Sequence, residues 1–152
     1  MKTAIILGLG LLTIGAAGLA FIRLAPNDPL RVHLDPMRDG ASGPNSLALR
    51  PPDAPVYPHP PDKVFAVLDG IIRATDGVRA VAEGPEPNHA SYVARTPILG
   101  FPDWVSIRVV GVEGGAAVAV YARARFGVSD LGVNKARIDG WLSELESALA
   151  DP

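Results

Sequence analysis

Between Lys2 and Arg23 the chain runs for twenty residues, Thr3 to Ile22, without a single charge. At 1.5 Å per helical residue this is about 30 Å, the thickness of a bilayer's hydrocarbon core. A helix of this composition has no polar face to turn to water, so residues 1–23 are read as a transmembrane anchor. A cleavable export signal is the competing reading. A basic start, an apolar run and the small residues around Gly18-Leu19-Ala20 suit a leader as well. Gly8, Gly15 and Gly18 fall near one stripe at helical spacing, which lets a second membrane helix approach closely. Gly is frequent in membrane helices anyway, so the stripe serves equally as background. With Lys2 before the run and Arg23 and Arg31 after it, the positive-inside contrast is weak. The signal-like order favours an inner-membrane helix with the soluble part in the periplasm.

Residues 24–60 form a linker. Ten prolines fall between Pro26 and Pro61, among them Pro51-Pro52 and Pro58-His59-Pro60-Pro61. Proline fixes φ and removes a backbone donor, so neither a long helix nor a central strand is expected there. A stiff spacer follows. Val32, Leu34, Met37, Leu47 and Leu49 are nevertheless too apolar for a fully solvated tether, and some of the segment is expected to bind its own domain or a neighbour.

Residues 61–152 read as one α+β domain. Val64, Phe65, Val67, Leu68, Ile71 and Ile72 recur at helical spacing after Pro61, and Asp76-Gly77 ends that helix. Strand-like runs follow at Val78–Glu83, His89–Thr96, Trp104–Val112 and Ala116–Phe126, the last two joined across Glu113-Gly114-Gly115. The short gaps favour antiparallel neighbours. Asn134 suits the N-cap of a final helix with Ile138, Trp141, Leu142, Leu145 and Leu149 on its apolar stripe. The expected fold is a four-stranded antiparallel sheet with two helices on one face, preceded by the single transmembrane helix.

Charge and composition exclude several functions. Fourteen basic residues against sixteen acidic give a net charge of −2, unlike the basic surface that broad nucleic-acid binding needs. The absence of Cys removes disulfides, thiolate chemistry and cysteine-ligated metal. His33, His59 and His89 are spread along the chain without local ligand spacing, so solvent or capping roles are expected rather than a metal.

Leu99-Gly100-Phe101-Pro102-Asp103, the run from Ala122-Arg123-Ala124-Arg125-Phe126 through Gly127-Val128-Ser129-Asp130-Leu131-Gly132-Val133-Asn134, then Arg137 and Trp141-Leu142, resemble the domain of unknown function 1499 family. The resemblance covers about Asp53 to Leu149. It implies membrane-anchored or exported bacterial or plastid proteins and no defined activity. The family more usually has Ser where this chain has Ala122 and Ala124, so any hydroxyl role there is absent.

Strand alternation sends Val118, Val120, Ala122 and Ala124 to one face and Tyr121, Arg123 and Arg125 to the other. Arg108 joins the second face, with Arg95 beside it. Asp103 and Asp130 are expected on adjoining loops as partners for these arginines. The face is read first as an ion-paired solvent surface and second as a site for a small anion, a lipid head group or an acidic partner. Gly127-Val128-Ser129-Asp130-Leu131-Gly132 only faintly resembles a nucleophile elbow, and Ser129-Asp130 reads better as a turn. Flanking arginines are expected to keep Asp103 and Asp130 ionised, which does not suit general acid catalysis. No catalytic centre and no cofactor are expected. The leading functional expectation is a non-catalytic accessory subunit of a larger inner-membrane complex of the electron-transport kind. The alternative is a tethered periplasmic binding module using the Arg face.

Overall fold

The computed structural model describes residues 2–150, with side chains in the first helix from Ile6 onward. Helix α1 (Lys2–Leu24) is long and apolar enough to cross a membrane, and none of its Ile6–Leu24 stretch is buried against the rest of the chain. A single turn, α2 (Pro29–Val32), begins where the Asp28 carboxylate accepts the Leu30 N–H. Strands β1 (Ser46–Leu49) and β2 (Val56–Tyr57) precede helix α3 (Pro61–Ala74). Then come β3 (Val78–Glu83), β4 (His89–Arg95), β5 (Pro102–Val112), β6 (Gly115–Ala124) and helix α4 (Val133–Ala150).

The sheet is antiparallel throughout, in the order β1-β6-β5-β4-β3, with β2 also paired to β6. Six strands therefore replace the expected four. The two additional ones come from the proline-rich segment, where they are short and confined to an edge, the position that tolerates nearby prolines. Together they cover β6 with Leu49 opposite Val120 and Val56 opposite Ala117. Gly115 has to be glycine for this to happen. Its φ is +145°, and a Cβ there would overlap the Tyr57 carbonyl of β2.

Helices α3 and α4 lie together on one face of the sheet, as expected. Val64, Leu68 and Ile72 recur every fourth residue on α3, and Ile138, Trp141, Leu145 and Leu149 line α4. These meet Tyr92, Val105, Ile107, Val109, Val118 and Val120 in one core. Each such large apolar side chain contributes about 1.5–3 kcal/mol on burial. The Trp141 indole N–H donates to Thr75 Oγ1 at 2.9 Å, tying α4 to the end of α3.

The opposite face is also covered. Residues 25–39 cross it as a strap, with Val32 fully buried against Val93 and Trp104. Pairs across the strands explain how it is held. Ser91, Val93, Trp104, Ser106, Arg108 and Arg123 alternate onto this face, so polar and apolar anchors are interleaved beneath one segment of chain.

Candidate functional site

The arginines expected on an open face are engaged by the strap and the neighbouring loop. Arg108 pairs with Asp35 at 2.6 Å. Arg123 donates to the Arg31 carbonyl and lies 5.0 Å over both the Trp104 and Tyr121 rings. Arg125 donates to the Ala25 carbonyl and to Asn27 Oδ1, which also accepts the Trp104 indole N–H. Arg95 donates to the Gly100 carbonyl. The strap meets Arg108 with the Asp35 carboxylate, and Arg123 and Arg125 with backbone carbonyls and the Asn27 side chain.

The two aspartates lie elsewhere. Asp103 belongs to β5 rather than to a loop and points to the helical side, where it accepts from Arg137 of α4 at 2.9 Å. Asp130 accepts the backbone N–H groups of Gly132 and Asn134 ahead of α4. Neither is a partner of the sheet arginines. Their electrostatics also diverge from the expectation that both are held ionised by such arginines. Burial raises the Asp103 carboxyl above its ordinary value, with Arg137 pulling the other way. Burial also opposes ionisation of Asp130, but the Gly132 and Asn134 hydrogen bonds outweigh it and hold that carboxyl below its ordinary value. Asn134, expected as N-cap, falls inside the first turn of α4, fully buried, with its Oδ1 accepting from Arg137.

The long motif runs instead converge on a groove of about 550 Å³ at one end of the domain. Thr96 to Leu99 and Phe101 form one wall, Ala124, Phe126, Gly127 and Ser129 to Leu131 another, and Asp103 lies between them. The lining is largely apolar. Ile98 and Leu131 of its lining are 85% and 91% exposed, and Val128 of the adjoining loop is 89% exposed. Leu131 adopts φ +53°, which turns the loop sharply before α4.

This groove adjoins the end of α1. Arg23 donates to the carbonyls of Ile98 and Leu99, both at 3.0 Å, and the Phe21 ring meets Phe126 edge-on at 6.3 Å. Gly8, Gly15 and Gly18 lie farther along the helix, and a Cβ at any of them would meet nothing within 4 Å.

A second constellation was invisible in the sequence. His33 of the strap stacks on His89 of β4, with ring centroids 4.0 Å apart. Glu86, in the β3–β4 turn, brings its carboxylate to 3.6 Å from His89 Nδ1. Burial lowers the pKa of His33, and the adjoining His89 lowers it further. His59 is remote from both, with Nε2 3.2 Å from the Leu149 carbonyl. Fifty-six positions separate His33 from His89, and only the return of the strap across β4 joins them.

A helix-backed antiparallel sheet, strapped on its other face by its own upstream segment and ending in an apolar groove, defines the class of this domain. The chain belongs to the family described as protein of unknown function (DUF1499), whose model matches residues 23–145. That span takes in the strap as well as the helical domain. Protein CV1439 from Chromobacterium violaceum is a solved structure of 15% identity and TM-score 0.48, covering 72% of this chain and 99% of its own. Protein MLL2253 from Mesorhizobium loti has 14% identity and TM-score 0.49, covering 70% and 96%. No curated protein matches this chain.

Proposed function

We propose that this protein is a non-catalytic, membrane-tethered binding module whose groove accepts a lipid acyl chain. One observation carries the reading: the groove, its exposed aliphatic rim and the last turn of α1 share one end of the domain. With α1 in a bilayer, Arg23 lies at the head-group level, where basic residues end membrane spans. Ile98, Val128 and Leu131 then meet the lipid interface, and the groove opens toward acyl chains. The binding role expected of the Arg face thus moves to the groove, because the strap already uses those arginines. The domain is assigned to the periplasmic side of an inner membrane, on the strength of Lys2 preceding the apolar run in signal-like order.

The test is mass spectrometry of the full chain released intact from phospholipid nanodiscs. The unmodified protein retains a bound phospholipid, and an Ile98→Asp/Leu131→Asp variant loses it while keeping its circular dichroism. Equal release of lipid-free protein from both would sink the reading. An accessory-subunit role draws support from a different feature, the open glycine stripe of α1, which suits a second membrane helix. Purification in mild detergent separates the two, since a chain that always runs alone has no partner subunit.

A further inference from the structure

We propose that His33, His89 and Glu86 form a binding site for one divalent transition-metal ion of the zinc class, which staples the strap to the β3–β4 hairpin.

The argument begins with proton placement. Ser106 Oγ lies 3.0 Å from the Val32 carbonyl, an acceptor only, so the Ser106 hydroxyl proton is committed there. Its oxygen accepts the Leu34 N–H and, at 2.8 Å, the Ser91 hydroxyl. Ser91, its own proton spent, can only accept at its 2.8 Å contact with His33 Nδ1. In its neutral form His33 therefore carries its proton on Nδ1, and Nε2 presents a bare lone pair. His89 is fixed in the opposite sense. Its Nε2 lies 3.1 Å from the Leu34 carbonyl and must donate, so the neutral ring has its lone pair on Nδ1.

The two remaining nitrogens, His33 Nε2 and His89 Nδ1, are buried without any hydrogen-bond partner. His89 as a whole is only 4% exposed. Leaving two buried acceptors unsatisfied is costly. One ligand atom from each of His33, His89 and Glu86 lies within 4.8 Å of the other two. Gly84 keeps the space beside them open, because a Cβ there would come 2.5 Å from His33 Nε2 and 2.9 Å from Glu86 Oε2. A cation among the three resolves both orphaned lone pairs and takes the Glu86 carboxylate as its third ligand.

The donor set selects the ion. Two imidazoles and one carboxylate suit zinc and its neighbours, which leave a fourth position for water, whereas calcium and magnesium prefer all-oxygen sites. The outer hydrogen bonds match as well. Metal-bound histidines donate their other N–H to an oxygen, here Ser91 Oγ and the Leu34 carbonyl. Binding at about 2.1 Å needs the three donors to draw together. Glu86, on a turn with its side chain 37% exposed, can supply part of that movement, and the stacked His33 and His89 rings must splay for their in-plane lone pairs to converge on the ion.

The experiment uses the full chain in detergent, stripped with EDTA and dialysed against zinc chloride or cobalt chloride. One zinc per chain by elemental analysis, a melting temperature several degrees higher with zinc, and visible cobalt bands of a low-coordinate site are expected. Glu86→Gln, on the surface and compatible with folding, should weaken zinc binding by at least about tenfold, since even outer-shell losses cost that much. His89→Ala should abolish the cobalt bands. Absence of stoichiometric zinc after dialysis against zinc chloride would overturn the site. So would zinc binding unchanged in both variants, which would place the ion elsewhere.

Discussion

Arg108 of β5 closes on Asp35 of the strap at 2.6 Å, joining residues 73 positions apart across a face of the sheet. Asp35 is 7% exposed and also accepts from Arg38 and from the Met37 N–H. Asp35→Ala therefore strands a guanidinium under the strap. We expect a loss of about 3 kcal/mol, in the range for breaking a buried pair by removing one partner. Urea unfolding of the full chain in detergent measures it, and an added Arg108→Met change should restore part of the loss.

Replacing Arg123 and Arg125 together by glutamine should loosen the strap without disturbing the helical core. The arginines reach the Arg31 and Ala25 carbonyls and stack over Trp104. Charge-assisted hydrogen bonds of this kind contribute about 1.5–3 kcal/mol each. Limited proteolysis should then cut after Arg31 and Arg38 well before any site in α3 or α4. An unchanged digestion pattern would show that these contacts do not hold the strap down.

Asp130 gives a pH dependence of defined sign. Its carboxyl is held below the ordinary value in the folded chain, so its contribution is complete above the unfolded carboxylate value near 4. That contribution fades as pH falls through the lower, folded value. Asp130→Ala should cost about 1 kcal/mol at pH 7, as for loss of a helix cap. Thermal melts of both proteins should converge as the pH is lowered below that range. A gap that persists in acid would mean that something other than the ionised carboxylate does the capping.

The helical half of the domain was legible because its signals are local. Val64, Leu68 and Ile72 announce their shared face by spacing alone, and the β3 boundaries at Val78 and Glu83 follow from flanking turns. The strap was not legible, because its fold is dictated by partners far along the chain. Ser46–Leu49 is a strand only because β6 offers an edge from Val120 to Arg123. Asp103 was misplaced for a related reason. Pro102 suggests a loop, yet it opens β5 at a position that tolerates a missing donor, which turns Asp103 inward toward Arg137. The His33–His89 stack required knowing that the strap returns over β4. The apolar run Val32 and Leu34 hinted at that return but left its destination open.

The two short strands on β6 have a practical consequence for anyone trimming the chain. A fragment started at Pro61, where the helical pattern begins, would strip the partners from Ala116, Ala117 and Val120 to Arg123. It would also lay bare Trp104 and Val93. An unpaired strand edge beside newly wetted aromatic surface invites chain-to-chain stacking. Soluble fragments of this protein should therefore start upstream of Ala25.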